Sequence, residues 1–133
     1  RDVCEQEIDY CESQGARVRM FADRELVKRR HAGEPFASTA QAIVAELPAE
    51  VWVSFDIDGL DPAFAPGTGT PEIGGLSVHQ GMEIIRGLRG LNIVGADLVE
   101  ISPPYDPHGT TALVGANLAF EMLCVLPGVQ YRD

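Results

Sequence analysis

The sequence is short of positive charge. Ten lysines and arginines stand against twenty aspartates and glutamates, a formal charge of −10. Nucleic-acid binding needs a basic footprint, so this balance argues against it. A negative field concentrates cations near a cleft, though solubility alone would explain the same charge. Long apolar runs are missing too. None approaches the ~20 residues of a membrane span, and no signal peptide is visible; a cytoplasmic protein with no membrane role is expected. Cysteine is scarce: Cys4, Cys11 and Cys124 form an odd set without metal-type spacing. Reduced thiols are their expected state.

What is present is material for one ordinary globular domain. The chain has 133 residues and is 45% hydrophobic, enough to bury a real core. It opens at Arg1 within what reads as the start of a helix, so it is expected to be the C-terminal part of a longer chain. No internal repeat, low-complexity tract or interdomain linker is visible, and residues 1–133 read as part of a single domain.

The pattern alternates strand and helix. Asp2 to Ser13 reads as a helix stopping at Gly15, and Ala16 to Phe21 alternates like a short strand. Asp23 is placed to cap a brief helix reaching Arg30, whose basic end suits the negative helix pole. Ala37 to Leu47 has helical spacing and ends before Pro48. Val51 to Phe55 is apolar nearly throughout, like a parallel strand covered on both faces. Ser77 is placed to cap a helix from Val78 to Leu88, with Gly90 as its stop. Asn92 to Val99 is a second apolar strand, and a long apolar helix runs from Thr110 to about Val125. This alternation predicts an α/β protein with a parallel sheet and helices on both faces.

The most informative stretch joins the first of these apolar strands to a Gly/Pro-rich loop. Asp56 and Asp58 stand two apart at the strand end, and side chains at i and i+2 leave a strand on one face. Ligands of open α/β sheets bind at that edge. Two convergent carboxylates repel unless a cation or proton lies between them, so the pair predicts a divalent metal held by hard oxygen ligands. The plainer alternative has one carboxylate capping the loop and the other in water. Glu100 ends the second strand at the same predicted edge. It could accept paired hydrogen bonds from a planar cation, or be merely an exposed strand-end acid. Asp61, just before Pro62, reads as a loop-capping residue. His31, His79 and His108 read as solvated or capping histidines. Tyr105 and Asp106 read as shaping the loop beside the mouth.

Ser54 to Pro62, followed by Ala65 to Pro71 and Gly74-Gly75, resembles the ureohydrolase family of arginases, agmatinases and guanidinobutyrases. The resemblance continues through Gly90 to Glu100, the Pro104-Tyr105-Asp106 tail and Thr111-Ala112-Leu113. It is close from Val51 to Leu126 and loose before. It implies a three-layer α/β/α fold with a mainly parallel sheet, of which this chain is the C-terminal half. It also implies metal-dependent hydrolysis of a guanidino compound to urea and an amine by a metal-bridging hydroxide. The site would hold two Mn²⁺ ions, with Asp56 bridging both and Asp58 holding one. Glu100 would grip the substrate guanidinium, with Thr70 close by, although ordinary turn chemistry accounts for Thr70 equally well. The remaining ligand motifs do not occur in this sequence, so these residues alone are expected to be inactive. The Pro-x-Tyr-Asp tail favours agmatine, with arginine or guanidinobutyrate as alternatives. A homotrimer or homohexamer is implied as well.

Other readings fit less well. A dehalogenase-like phosphatase also ends a strand in Phe-Asp-x-Asp-Gly, but needs a downstream lysine, and the only lysine here is Lys28, upstream. A calcium loop would place its glycine elsewhere and would not tolerate Pro62. A ureohydrolase-like subunit that binds or regulates without catalysis is the remaining alternative.

Overall fold

A computed structural model describes residues 3–131. The chain forms two compact units, Arg1–Glu46 and Leu47–Asp133.

The first unit is helical. Helix α1 spans Glu5–Ser13, and the Glu7 carboxylate reaches back to accept the Cys4 backbone N–H at 2.8 Å. Asp2, where this helix was expected to begin, lies outside the described residues. Gly15 follows the Gln14 cap with φ +56°, the left-handed residue that commonly closes a helix. The strand expected at Ala16 to Phe21 does not form. Gly15–Arg17 is a 3-10 turn, and Val18 is extended but joins no ladder. Side-chain alternation is present there, but a strand exists only through a paired neighbour. Helix α2 spans Asp23–His31, with Ala22 at the cap position; Asp23 lies inside the first turn instead of capping it. Its end is a Schellman motif: Gly33 N–H donates to the Arg30 carbonyl and Glu34 N–H to that of Arg29. Helix α3, Phe36–Ala45, packs with α2 and buries Thr39 and Ala40.

The second unit holds the sheet. Strands β1 (Glu50–Asp56) and β2 (Asn92–Val99) pair in parallel, with Phe55 opposite Leu98 and Asp56 opposite Val99. Between them runs helix α4, Val78–Gly87, opened by a reciprocal capping box. Ser77 Oγ accepts the Gln80 N–H at 3.2 Å, and Gln80 Oε1 accepts the Ser77 N–H at 2.8 Å. Helix α5, Thr110–Cys124, follows β2. Phe55 touches α4 at Gly81, and Leu98 touches α5 at Gly115. Because Phe55 and Leu98 are register partners, both helices lie on the same face of the sheet. The core there holds Ile57, Leu60, Ile85, Leu118 and Met122, all buried. Arg86 on α4 grips Glu121 on α5 with both Nε and Nη2.

The other face departs from the expectation that β1 is covered on both sides. Trp52 is 62% exposed. A register shift between Val51 and Trp52 sets the indole against Gly95, where any Cβ would fall 2.1 Å from a ring carbon. Trp52 Nε1 and Ser54 Oγ both donate to the Asp97 carboxylate, at 3.0 and 2.6 Å. Among the described residues, no helix is long and apolar enough to cross a membrane.

Candidate active site

β1 ends at Asp56 opposite the end of β2 at Val99, and Glu100 is the next residue. Asp56, Asp58 and Glu100 therefore leave the same carboxyl edge of the sheet. Asp58 gets there by a different route from the one the spacing suggested. The strand stops at Asp56, and Ile57–Gly59 is a 3-10 turn that drives Ile57 into the core. Asp56 Oδ1 caps this turn by accepting the Asp58 N–H at 2.9 Å. One carboxylate thus does cap the loop, as the plainer reading held, while remaining at the rim.

The Asp58 carboxylate is clamped. Thr68 Oγ1 donates to its Oδ1 and Thr70 Oγ1 to its Oδ2. Thr70, expected near a bound guanidinium, is here a partner of Asp58. Thr68 is buried and was not singled out from sequence. The clue was available, since Gly67-Thr68-Gly69-Thr70 repeats with the period of two that drew attention to the acids.

The surrounding loop is built by acids that serve the backbone. Asp61 Oδ1 accepts the Ala63 N–H and its Oδ2 the Gly74 N–H, both at 2.8 Å. These bonds, with Ala63 first and Gly74 second, hold its carboxyl below the usual carboxylate range. Asp61 is the loop-capping residue the sequence suggested. Asp106 does more than shape a loop. It is buried at the start of α5, and its Oδ2 accepts the Ala112 N–H at 2.8 Å. Burial pushes this carboxyl up, but the N–H groups of Ala112, Thr111 and Thr110 outweigh it and leave the pKa lowered. The helix N-terminus favours the same charged form. Tyr105 is exposed, as are His31, His79 and His108.

Glu100 is exposed with φ +65°, the only non-glycine with positive φ among the described residues. Such a backbone is uncommon for a side chain as large as glutamate. Ile101 follows it and packs against α5 at Gly115, where a Cβ would meet Ile101 Cδ1 at 2.2 Å.

The donor set suits a hard divalent cation in part. Each carboxylate oxygen has two lone-pair sites, so the hydroxyl bonds to Asp58 leave it able to ligate. Among the described residues, however, no group of three or more His, Cys, Asp or Glu is placed to hold a metal. Asp56 and Asp58 can be part of a metal shell and not the whole of one.

Comparison with known proteins agrees with this incompleteness. The Arginase family model matches residues 1–124. The guanidinobutyrase of Pseudomonas aeruginosa is 71% identical over 99 residues, which is 74% of this chain and 30% of that protein. The mitochondrial agmatinase of Gallus gallus is 74% identical over 80 residues, covering 60% of this chain and 24% of its own length. The solved proclavaminate amidino hydrolase of Streptomyces clavuligerus superposes with TM-score 0.77 at 37% identity, over 87% of this chain and 36% of that one. The chain thus carries part of an α/β fold shared with that hydrolase.

Proposed function

We propose, from the premise that this chain belongs to the arginase family, that it supplies one rim of a ureohydrolase active site. The protein it serves would hydrolyse a linear guanidino compound to urea and an amine. The observation that carries this reading is the arrival of Asp56, Asp58 and Glu100 at one strand-end edge, within a stretch that is 71% identical to a guanidinobutyrase.

In this reading Asp56 and Asp58 hold Mn²⁺, two ions per complete site, with other ligands supplied outside these residues. When bound, such a pair lowers the pKa of water toward neutrality and so provides a nucleophile. Thr68 and Thr70 fix the Asp58 carboxylate through their hydroxyls. Glu100, raised at the rim by its left-handed backbone, accepts paired hydrogen bonds from the planar guanidinium. This holds the electrophilic carbon in one orientation and converts a bimolecular encounter into an oriented one.

Agmatine is the first substrate to test, from the Pro-x-Tyr-Asp tail and the formal charge of −10. Guanidinobutyrate is the second, because the match to the guanidinobutyrase covers 74% of the chain. Urea release from each, with and without Mn²⁺, measured on the protein at its natural length, separates them. It also separates catalysis from a purely regulatory role. Asp56→Ala or Asp58→Ala is expected to lose Mn²⁺ and turnover together, whereas Glu100→Ala keeps Mn²⁺ and loses turnover. Loss of Mn²⁺ from the Glu100 variant contradicts the assignment. Cytoplasmic location, homo-oligomeric assembly and inactivity of residues 1–133 alone belong to the same proposal. Cell fractionation, sizing in solution and a urea assay on that segment test them.

A further inference from the structure

A buried threonine far from the rim in sequence is tied to Asp58 through a short relay. Thr111 is 0% exposed in the first turn of α5. Its Oγ1 accepts the N–H of Gly67 at 2.8 Å, and the carbonyl of Gly67 accepts the Ser102 N–H at 2.8 Å. Gly67 is therefore held at both of its polar groups by residues that follow β2. The fit is tight enough to require glycine: a Cβ there would lie 2.5 Å from Asp106 Cβ and 2.8 Å from Thr111 Oγ1. The next residue is Thr68, whose hydroxyl holds Asp58 Oδ1. Asp106 fixes the helix turn that carries Thr111 by accepting the Ala112 N–H.

We propose that Thr111 is a positioning residue for Asp58, acting through Gly67 and Thr68 to set the direction of that carboxylate. The inference rests on the metal reading of Asp58 given above. A hydroxyl at Thr111 does two things at once. It satisfies a buried backbone N–H, and it fixes where the Thr68 side chain begins. Without it, Gly67 N–H loses its partner and the loop shifts to find another. The Asp58 clamp shifts with it.

Glu121 provides the comparison on the same helix. Its carboxylate pairs with Arg86 on α4, ten residues along the helix from Thr111. Glu121→Ala thus disturbs α5 without touching the relay.

The test measures Mn²⁺ binding by titration calorimetry on the protein at its natural length, alongside amide hydrogen exchange at Gly67 and the carboxyl ¹³C shift of Asp58. Thr111→Val, close to threonine in shape, is expected to weaken Mn²⁺ binding about tenfold to a hundredfold, the range for groups that orient metal ligands. Gly67 exchange should quicken about fivefold to tenfold on losing the bond, and the Asp58 resonance should move. Thr111→Ser restores all three toward wild type. Glu121→Ala lowers thermal stability but leaves Mn²⁺ affinity unchanged. If Thr111→Val does not fold, Gly67→Ala, whose methyl presses on Thr111 and Asp106 at the same contact, should weaken Mn²⁺ binding as well. Wild-type Mn²⁺ affinity in a folded Thr111→Val or Gly67→Ala protein overturns the proposal. So does an equal loss in Glu121→Ala. If Asp58→Asn binds Mn²⁺ as wild type does, the metal reading fails instead. The relay is then judged on the Gly67 exchange and the Asp58 shift, and no change in either in Thr111→Val overturns it.

Discussion

Gly59 and Gly75 belong to the same loop, yet replacement by alanine should affect them in opposite directions. At Gly75 the added Cβ would lie 2.7 Å from Asp61 N, 2.7 Å from Leu60 C and 2.9 Å from Gly59 O. Carbon contacts are comfortable near ~3.5–4.0 Å, so the methyl is about 1 Å too close on several sides. All of these atoms are backbone, and none can swing away as a side-chain tip could. They also belong to the bridge that closes the loop, in which Leu76 N–H donates to Gly59 O at 2.8 Å and Asp61 N–H to Leu76 O at 2.9 Å. Overpacking costs about 1–3 kcal/mol, and each bridge bond broken adds about 1 kcal/mol. Gly75→Ala should therefore destabilise by ~2–5 kcal/mol. At Gly59 nothing lies within 4 Å of the added carbon, and the backbone is not left-handed. Gly59→Ala should be neutral or stabilise by about 0.4–1 kcal/mol through the unfolded chain. Urea unfolding measures both, provided the m-value is unchanged. A Gly75→Ala protein within ~0.5 kcal/mol of wild type, the range of an ordinary surface change, would refute the argument. So would Gly59→Ala proving the costlier variant.

Arg86→Ala should cost about 1 kcal/mol or less, because the Arg86 side chain is 48% exposed and solvent screens the pair. The loss should shrink in high salt; a deficit unchanged by salt would show that packing, not charge, is responsible. Acid should unfold the protein through its depressed carboxylates. Glu121 is lowered chiefly by its hydrogen bond from Arg86. Asp61 is lowered by backbone N–H groups, and Asp106 by such groups outweighing burial. A depressed folded pKa means the unfolded chain binds protons more readily, so this stabilisation is complete above the usual carboxylate range near ~4. It disappears as pH falls through the lower folded values. Melting temperature should be level above about pH 5 and drop below about pH 4; a rise on acidification would contradict the assignment.

Much of the second unit was legible in the sequence. β2 has the predicted bounds, and the Ser77 cap, the crossover helix and Asp61 as a loop cap follow from local chemistry. Local signals failed where pairing decides. Val18 and Met20 alternate with arginines, but no described neighbour offers Ala16 to Phe21 a ladder. The apolar run Val51-Trp52-Val53 suggested burial on both faces, whereas Trp52 is exposed. Asp58 does not follow Asp56 along a strand, as the period of two suggested; a 3-10 turn carries it past the strand end. The threonines were the larger omission. Thr68 contacts an acid ten residues away, and Thr111 a glycine forty-four away. The period of two in Gly67 to Thr70 marks the first threonine but not the acid it meets, and nothing periodic marks Thr111.

The exposed Trp52 gives the molecule a built-in optical gauge. It is the single tryptophan of the chain, four residues before Asp56 on the same strand. Its indole N–H is tied to Asp97, which also holds Ser54, two residues before Asp56. Emission from this ring therefore reports polarity on the strand that ends at Asp56, with no added label. Any event that covers or strains that surface should register as a change in its colour.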